Sequence, residues 1–489
     1  MADIVLAHSY HLQYDPKQVR KMQPYPPLGT LYAATALQQS GFSVAVFDPM
    51  LWDPADFSTV LDREKPKVVA IYEDDFNFLS KMCLLRCREL AWELARTARA
   101  RGCRVVVHGS DATDHSLAYL QNGAEFVLVG EAEQSLSALC ASLLRGGAGV
   151  SAIPGVLCLD AAGRLAGNAD AASRNPDWKN LSRPARELLD LAPYRQAWTK
   201  AHGYFSTNVV ASRGCPFRCN WCAKPISGNR YQLRPPENVA DEVQELQSLH
   251  GVEHIWFGDD IFALNQHWVV EYAAAIEARQ CQVPFKIQSR ADLMTPETVE
   301  ALKRAGCAEV WMGVESGSQR ILDAMDKGLK VAKVETARRL LGHYGIRACY
   351  FVQLGYPGEQ WQDILKTIDL LRRTRPDDIG VSFSYPLPGT PFFDRVKEQM
   401  GAKSNWIDSD DLCLMFTSAY STEFYRALRD ALHAEVDSWR EGVPMQNSLW
   451  EKVFALERTA RNLEATVLHG HDSASMSSQL VQLHIGPEH

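Results

Sequence analysis

No run of this sequence approaches the roughly 18 uninterrupted apolar residues that a membrane-crossing helix needs, so no span is expected. The first residues, Met1 to His8, lack the basic stretch and long apolar core of a secretory signal. Blocks of Lys and Arg are missing too. The counts are 51 Lys+Arg against 59 Asp+Glu, a net charge of -8. Domains that grip phosphate backbones carry a basic stripe, so nucleic acid is not an expected partner. Solenoid repeats are absent. Twelve cysteines are present, and only one group of them is tight. In a chain expected to be cytoplasmic, such a group points to metal or catalysis rather than disulfides. What remains is an enzyme acting on a small molecule.

What is present is strand and helix in alternation. Strands are expected at Ile4–Ala7, Ser43–Phe47, Val68–Tyr72, Arg104–His108 and Phe126–Val129. Helices should fill the gaps, among them a long one over Leu79–Ala100. Strands separated by helices read as a parallel sheet, which binds ligands beyond its carboxyl ends. A hairpin at Pro154–Gly167 and a polar connector, Asn168–Arg183, follow. A second βα series runs through strands at Thr207–Ser212, His254–Gly258, Pro284–Ser289, Glu309–Val314, Ala348–Leu354 and Gly380–Tyr385. Six such repeats make a partial barrel, with polar strand ends converging at its mouth. Helical patterns at Phe424–Trp439 and Leu449–Glu464 come next, and the serine-rich last 20 or so residues have a disordered composition. The expected fold is α/β. A Rossmann-like, flavodoxin-like domain covers 1–150, a linker and hairpin 151–206, a partial (β/α)6 barrel 207–400, and a helical extension with a disordered tail 401–489.

Directly after the first barrel strand stands Arg213-Gly-Cys215-Pro-Phe-Arg-Cys219-Asn-Trp-Cys222. A loop of that length can turn all three thiols inward around one centre. Structural zinc sites complete four protein ligands, and no second Cys or His pair stands at finger spacing. A [4Fe–4S] cluster on three cysteines leaves one iron open. At these residues the sequence resembles the radical S-adenosylmethionine (SAM) superfamily, whose Cys-x-x-x-Cys-x-aromatic-Cys pattern has Trp221 in its aromatic place. The resemblance implies that Cys215, Cys219 and Cys222 hold the cluster and that SAM chelates the fourth iron. It also implies cleavage of SAM to methionine and a 5′-deoxyadenosyl radical, and an electron donor such as flavodoxin or ferredoxin.

The other strand ends offer candidates for the SAM contacts. Asp259 and Asp260 end the second barrel strand; the resemblance gives this position to the SAM ammonium, and capping of the next helix is the plain alternative. Arg290 ends the third, free to fork onto the SAM carboxylate or to pair with Asp292. Glu315 and Ser316 end the fourth, where the family meets SAM ribose and methionine, and Gly317 is expected to let backbone approach the ligand. Gly355 ends the fifth, in a region used to cradle adenine; the plain alternative there is a turn, with Glu359 in the first helical turn. No catalytic residue is singled out.

Ahead of this barrel, Pro27-Leu28-Gly29 after the first strand and Gly130-Glu131 after the fifth resemble a cobalamin-binding domain. The chain is therefore similar to cobalamin-dependent radical SAM enzymes over roughly residues 1–400, which implies cobalamin as a third cofactor. It implies transfer of a methyl group to an unactivated carbon of a small metabolite. The Asp-x-His-x-x-Gly loop of cobalamin mutases is absent. The fourth turn, His108-Gly-Ser110-Asp111, puts an acid where a ligand phosphate is expected. That acid favours the other reading, a radical rearrangement, cyclisation or dehydration without cobalamin. Cys83 and Cys87, four apart, are expected on one helix.

Overall fold

Runs of Val, Ile and Ala without polar alternation suit strands covered on both faces, and the five such runs before residue 130 all pair. The computed structural model describes residues 1–146, 149–168, 183–445 and 447–461. Its first sheet contains β1 (Ile4–Ala7), β2 (Val44–Phe47), β3 (Val68–Tyr72), β4 (Arg104–His108) and β5 (Phe126–Leu128), all parallel. The hairpin strands β6 (Val156–Leu159) and β7 (Leu165–Gly167) extend the sheet antiparallel, giving the order β2-β1-β3-β4-β5-β6-β7.

β8 (Ser206–Val209) opens the second sheet. A small antiparallel pair, β9 (Ser212–Arg213) with β10 (Gln232–Leu233), follows, and the three clustered cysteines lie on the loop that joins them. Then come β11 (His254–Phe257), β12 (Phe285–Ser289), β13 (Cys307–Glu315), β14 (Arg347–Leu354) and β15 (Asp378–Phe383). Each pairs parallel with the next, in the order β15-β14-β13-β12-β11-β8. Sequential parallel strands with a helix in every crossover curl into a partial barrel. Helix Thr422–Glu441 packs on β15 and is held by the Arg372–Glu435 pair at 2.6 Å. A last helix spans 447–461. The expected connector over 169–182 and the tail beyond 461 lie outside the described residues.

One expected helix is broken. Leu79–Ala100 is two pieces, Phe78–Lys81 and Leu85–Ala100, with Cys83 between them at φ +56°. The second piece begins without a side-chain cap. Its first amides instead donate to the carbonyls of Trp406 at 2.9 Å and Ile407 at 3.2 Å, from the far end of the chain. A tertiary partner has satisfied amides that a continuous helix would have kept for itself. Cys83 and Cys87 therefore do not share a helix.

The two sheets are tied together at buried polar contacts. Asn208 donates to the Pro26 carbonyl at 2.8 Å, Trp198 to that of Pro24 at 2.7 Å, and Tyr194 to Asp48 at 2.6 Å. Arg213, beside the cysteine loop, pairs with Glu133 at 2.6 Å, both almost fully buried.

Candidate functional site

The cysteine loop is anchored by Asn220, which sequence reasoning passed over. Its backbone donates to Met325 and accepts from Phe392, each at 3.0 Å. Its side chain donates to the Ala324 carbonyl at 2.8 Å and accepts from the Tyr356 hydroxyl at 2.7 Å. Trp221 packs against the apolar cluster of Ile321, Met325, Tyr356 and Phe392. The loop is thus fixed on the barrel mouth from both sides. All three thiols are half-buried. Burial raises the Cys215 thiol and pushes that of Cys222 up to about 12, while Lys224 pulls both back down. Each of the two also feels Cys219 and Asp260, so the three share one electrostatic environment.

Among the described residues, no three His, Cys, Asp or Glu side chains converge closely enough to hold one metal ion. A four-iron cluster is larger than a single ion, and its ligands stand further apart. Three cysteine thiols on one anchored, half-buried loop are a donor set that suits a [4Fe–4S] cluster.

Facing the loop is a buried ion pair. Glu315 ends β13 in a left-handed conformation at φ +61°, and its carboxylate accepts from Lys327 at 2.7 Å, with both side chains under a tenth exposed. A Cβ on Gly313 would lie 2.7 Å from the Lys327 ammonium, so glycine there makes room for the pair. Lys327 is within electrostatic reach of Cys219 and 5.9 Å from the Trp221 ring centre. No spacing rule pointed to it, since it lies twelve residues from its partner.

Arg290 forks onto Asp292 with both bonds at 3.0 Å, donates to the Lys327 carbonyl at 2.8 Å and lies 3.9 Å from the Phe217 ring centre. The guanidinium is engaged by these partners, while Lys327 stands with Glu315 within electrostatic reach of Cys219 and Lys224 acts on Cys215 and Cys222. Asp259 is buried and accepts from the Ala211 amide at 3.1 Å and from the Ser212 hydroxyl. Burial holds its carboxyl up at about 7. It does not cap the following helix, whose cap is Asn265. Asp260 instead pairs with Lys81 from the first sheet's side.

Ser316 is fully buried; it shares a hydrogen bond with Thr367 at 3.2 Å and accepts from the Ser318 amide at 3.1 Å. The close approach at Gly317 is to a helix, not to a ligand space: an added Cβ would lie 2.3 Å from the Lys366 carbonyl oxygen. Gly355, at φ +78°, donates its amide to Glu359 at 2.7 Å. Burial drives the Glu359 carboxyl up to about 8. Such a group keeps its proton in the folded chain at pH values where the unfolded chain has lost it, so its contribution to stability falls as pH rises from the unfolded value towards 8. Glu359→Gln is expected to flatten the decline of the melting temperature between pH 6.5 and 8, removing roughly 1–2 kcal/mol of pH dependence. Thermal melts of the two proteins across that window check this.

On the first sheet, Pro27, Leu28 and Gly29 are buried. The Gly29 amide donates to Asp74 at 2.9 Å, and a Cβ there would lie 2.7 Å from Asp75. Gly130, at φ +83°, accepts from His108 at 2.9 Å. Ser110 lines a cleft of about 30 Å³ with Asp75, Lys81, Ser212, Arg213 and Asp260, where the sheet's carboxyl end meets the cysteine hairpin. Close by, Asp75 Oδ1, Glu133 Oε2 and His108 Nδ1 are buried without a hydrogen-bond partner among the described residues. A corrin ring is rimmed by carboxamides, whose N–H groups suit such acceptors. Asp111 does not face that cleft as a bare charge. Arg88 forks onto it with two bonds at 2.6 Å, and Tyr119 donates to it at 2.8 Å.

The profile of the radical SAM superfamily matches residues 209–371, which hold the cysteine loop and the strand ends just described. The "Uncharacterized methyltransferase PH0819" of Pyrococcus horikoshii is 28% identical over 225 residues, 46% of this chain and 48% of that protein. The chain thus spans about half the length of that relative. The hopanoid C-3 methylase of Methylococcus capsulatus is 24% identical over 416 residues, 82% of this chain and 75% of that protein. Among solved structures, TsrM from Kitasatospora setae with cobalamin and a [4Fe–4S] cluster bound superposes with a TM-score of 0.66 at 20% identity. That match covers 82% of this chain and 78% of TsrM. OxsB with aqua-cobalamin bound gives 0.70 at 16% identity, over 90% of this chain and 67% of that one. Both are likenesses of fold. Residues 209–371, with the cysteine loop and the strand ends around it, thus carry a radical SAM domain, and the chain as a whole shares the fold of TsrM and OxsB.

Proposed function

We propose that this chain is a cobalamin-dependent methyltransferase that acts on an unactivated carbon of a small metabolite. The observation that carries the reading is the cysteine hairpin set between the barrel mouth and the carboxyl end of a cobalamin-type sheet. Cys215, Cys219 and Cys222 would hold a [4Fe–4S] cluster, and Ser110, Gly130 and the Pro27-Leu28-Gly29 turn would border a corrin. When bound, these groups and SAM supply a 5′-deoxyadenosyl radical and a transferable methyl. The chain's residues bind and orient. Lys327 is placed to receive the SAM carboxylate, which would free Glu315 for the ribose hydroxyls or the ammonium, with Asp260 as a second acceptor. Ser316 and Gly355 hold the strand ends that border this space, and Asp259 fixes the junction between β8 and the hairpin. Trp221 and the packed loop keep water from the radical. The domain division is read as a cobalamin-type unit over 1–150, the joining segment 151–206, the barrel over 207–400 and the helical extension beyond.

After anaerobic loading with iron and sulfide, reduction with dithionite in the presence of SAM is expected to yield 5′-deoxyadenosine and methionine. Recovery of intact SAM from a fully loaded protein would overturn the reading. A second reading keeps SAM cleavage and omits methyl transfer. It is favoured by the acids that crowd the first sheet's carboxyl end, where burial lifts both Asp74 and Asp114 to about 7. Corrin that fails to stay with the loaded protein through desalting would select that second reading.

A further inference from the structure

Alternation along the barrel strands separates two faces. On β13, Val310, Met312 and Val314 are fully buried, while Glu309, Trp311 and Gly313 between them are reached by solvent. On β12 the residues reached by solvent are Lys286 and Gln288, and on β15 they include Gly380 and Ser382. β12 and β13 each have a strand on both sides, and their outward residues are buried. Solvent therefore reaches them from inside the barrel. A filled core would bury these positions under layers of side chains. This lumen is open.

An aromatic floor lies in it. Trp311 and Phe351 stack at 4.9 Å with 29° between their planes. A Cβ on Gly380 would lie 3.1 Å from Phe351 Cδ1 and 3.4 Å from Trp311 Cζ3. Gly380 is on β15, two strands from β13, about 10 Å away at the usual strand spacing. An indole that crosses such a distance lies along the sheet instead of standing up from it. The stacked pair is thus flat and presents a ring face to the lumen. Trp311 Nε1 donates to Glu309 at 2.5 Å, which fixes the indole's rotation.

One rung nearer the mouth the lumen turns polar. Gln353 is the next inward residue after Phe351, pairs in register with Ser382, and is 3% exposed. Its carboxamide oxygen is buried without a hydrogen-bond partner among the described residues. A buried carbonyl is costly to leave unpaired, so an unfilled one aimed into an open lumen points to a ligand. Gly313 is the register partner of Phe351, and a Cβ on it would lie 2.7 Å from the Lys327 ammonium and 2.8 Å from Glu315 Oε1. The Glu315–Lys327 pair therefore overhangs the lumen directly above the aromatic floor.

We propose that the lumen seats a substrate with a planar heteroaromatic ring system, laid flat on the Trp311–Phe351 stack, whose lactam edge pairs with the Gln353 carboxamide. A carboxamide accepts from a ring N–H and donates to the carbonyl beside it. Phe351 and Gln353 stand about 7 Å apart along the strand, the length of two fused rings. A ring so placed lies next to the Glu315–Lys327 pair. This deepens the function proposed above and rests on it in one respect, in taking that pair as the SAM end of the lumen.

The test uses two lactam probes, flat 2-quinolinone and its ring-saturated counterpart octahydroquinolin-2-one. Binding to the anaerobically loaded, unreduced full chain is measured by calorimetry, with and without saturating SAM. Quinolinone is expected to bind at least about tenfold more tightly than the saturated lactam, the equivalent of about 1.4 kcal/mol. Trp311→Leu and Phe351→Leu should each erase most of that preference, with melting temperature and iron content showing an intact fold. Gln353→Leu should weaken both lactams alike, by about fivefold. Equal binding of the two lactams, no binding of either, a preference that survives both aromatic changes, or undiminished binding in Gln353→Leu would overturn the proposal. Displacement of quinolinone by SAM would overturn it too, since the floor would then belong to adenine. Iron content and SAM cleavage in the same preparation need no quinolinone, so they report separately on the function proposed above.

Discussion

Cys219→Ala is expected to leave the loaded protein with far less than the roughly four irons per chain of the native one, and with no 5′-deoxyadenosine above background. The fold should survive, because the loop's position depends on Asn220 and Trp221 rather than on its thiols. Cys103→Ala is the control. That thiol is buried beneath the first sheet and donates only to the Pro66 carbonyl at 3.3 Å, so iron loading should be unchanged. Iron assay, the absorbance of the cluster and chromatography of the SAM products report all three outcomes. Full iron occupancy in Cys219→Ala would remove the loop from the centre of the account.

Breaking the Glu315–Lys327 pair carries the second large effect. Lys327→Met leaves a carboxylate buried beside the cysteine loop with no counter-charge, a change that costs about 3–5 kcal/mol of stability. Adding Glu315→Gln removes the stranded charge, and most of that loss should return. SAM binding should not return with it, since both groups proposed to meet SAM are then gone. Chemical denaturation and equilibrium dialysis of SAM, run on the two single variants and the double, separate a structural pair from a binding one. A double variant that binds SAM normally would make the pair purely structural.

Much of the fold was legible because its signals are local. Val68–Tyr72 and Arg104–His108 are strands of continuous apolar composition, and the helices Phe57–Glu64, Pro296–Ala305 and Val331–His343 have the bounds their apolar period implies. The break at Cys83 was not legible, because the carbonyls that receive the Leu85 and Arg86 amides come from residues more than three hundred positions later. The cysteine loop could be read directly, as metal ligands at short spacing must be. Glu315 could be read as a polar residue at a strand end, while Lys327 depended on a turn whose path no pattern encodes. Asp259 and Asp260 look equivalent in sequence. The fold separates them, burying one against β8 and the hairpin and turning the other to Lys81 across the join. Arg290 looked free for a ligand or for Asp292, and Asp111 looked like a bare acid set against a ligand; each is engaged by a partner that spacing alone left undecided or hidden.

The central claim is that one chain holds a cluster and a corrin at the meeting of its two sheets. The most direct measurement is anaerobic loading with iron, sulfide and hydroxocobalamin, then desalting and assay of iron and corrin per chain. About four irons with about one corrin is the predicted result. Iron well below that level, or full iron with no corrin retained, in a folded protein with reduced thiols, would contradict it.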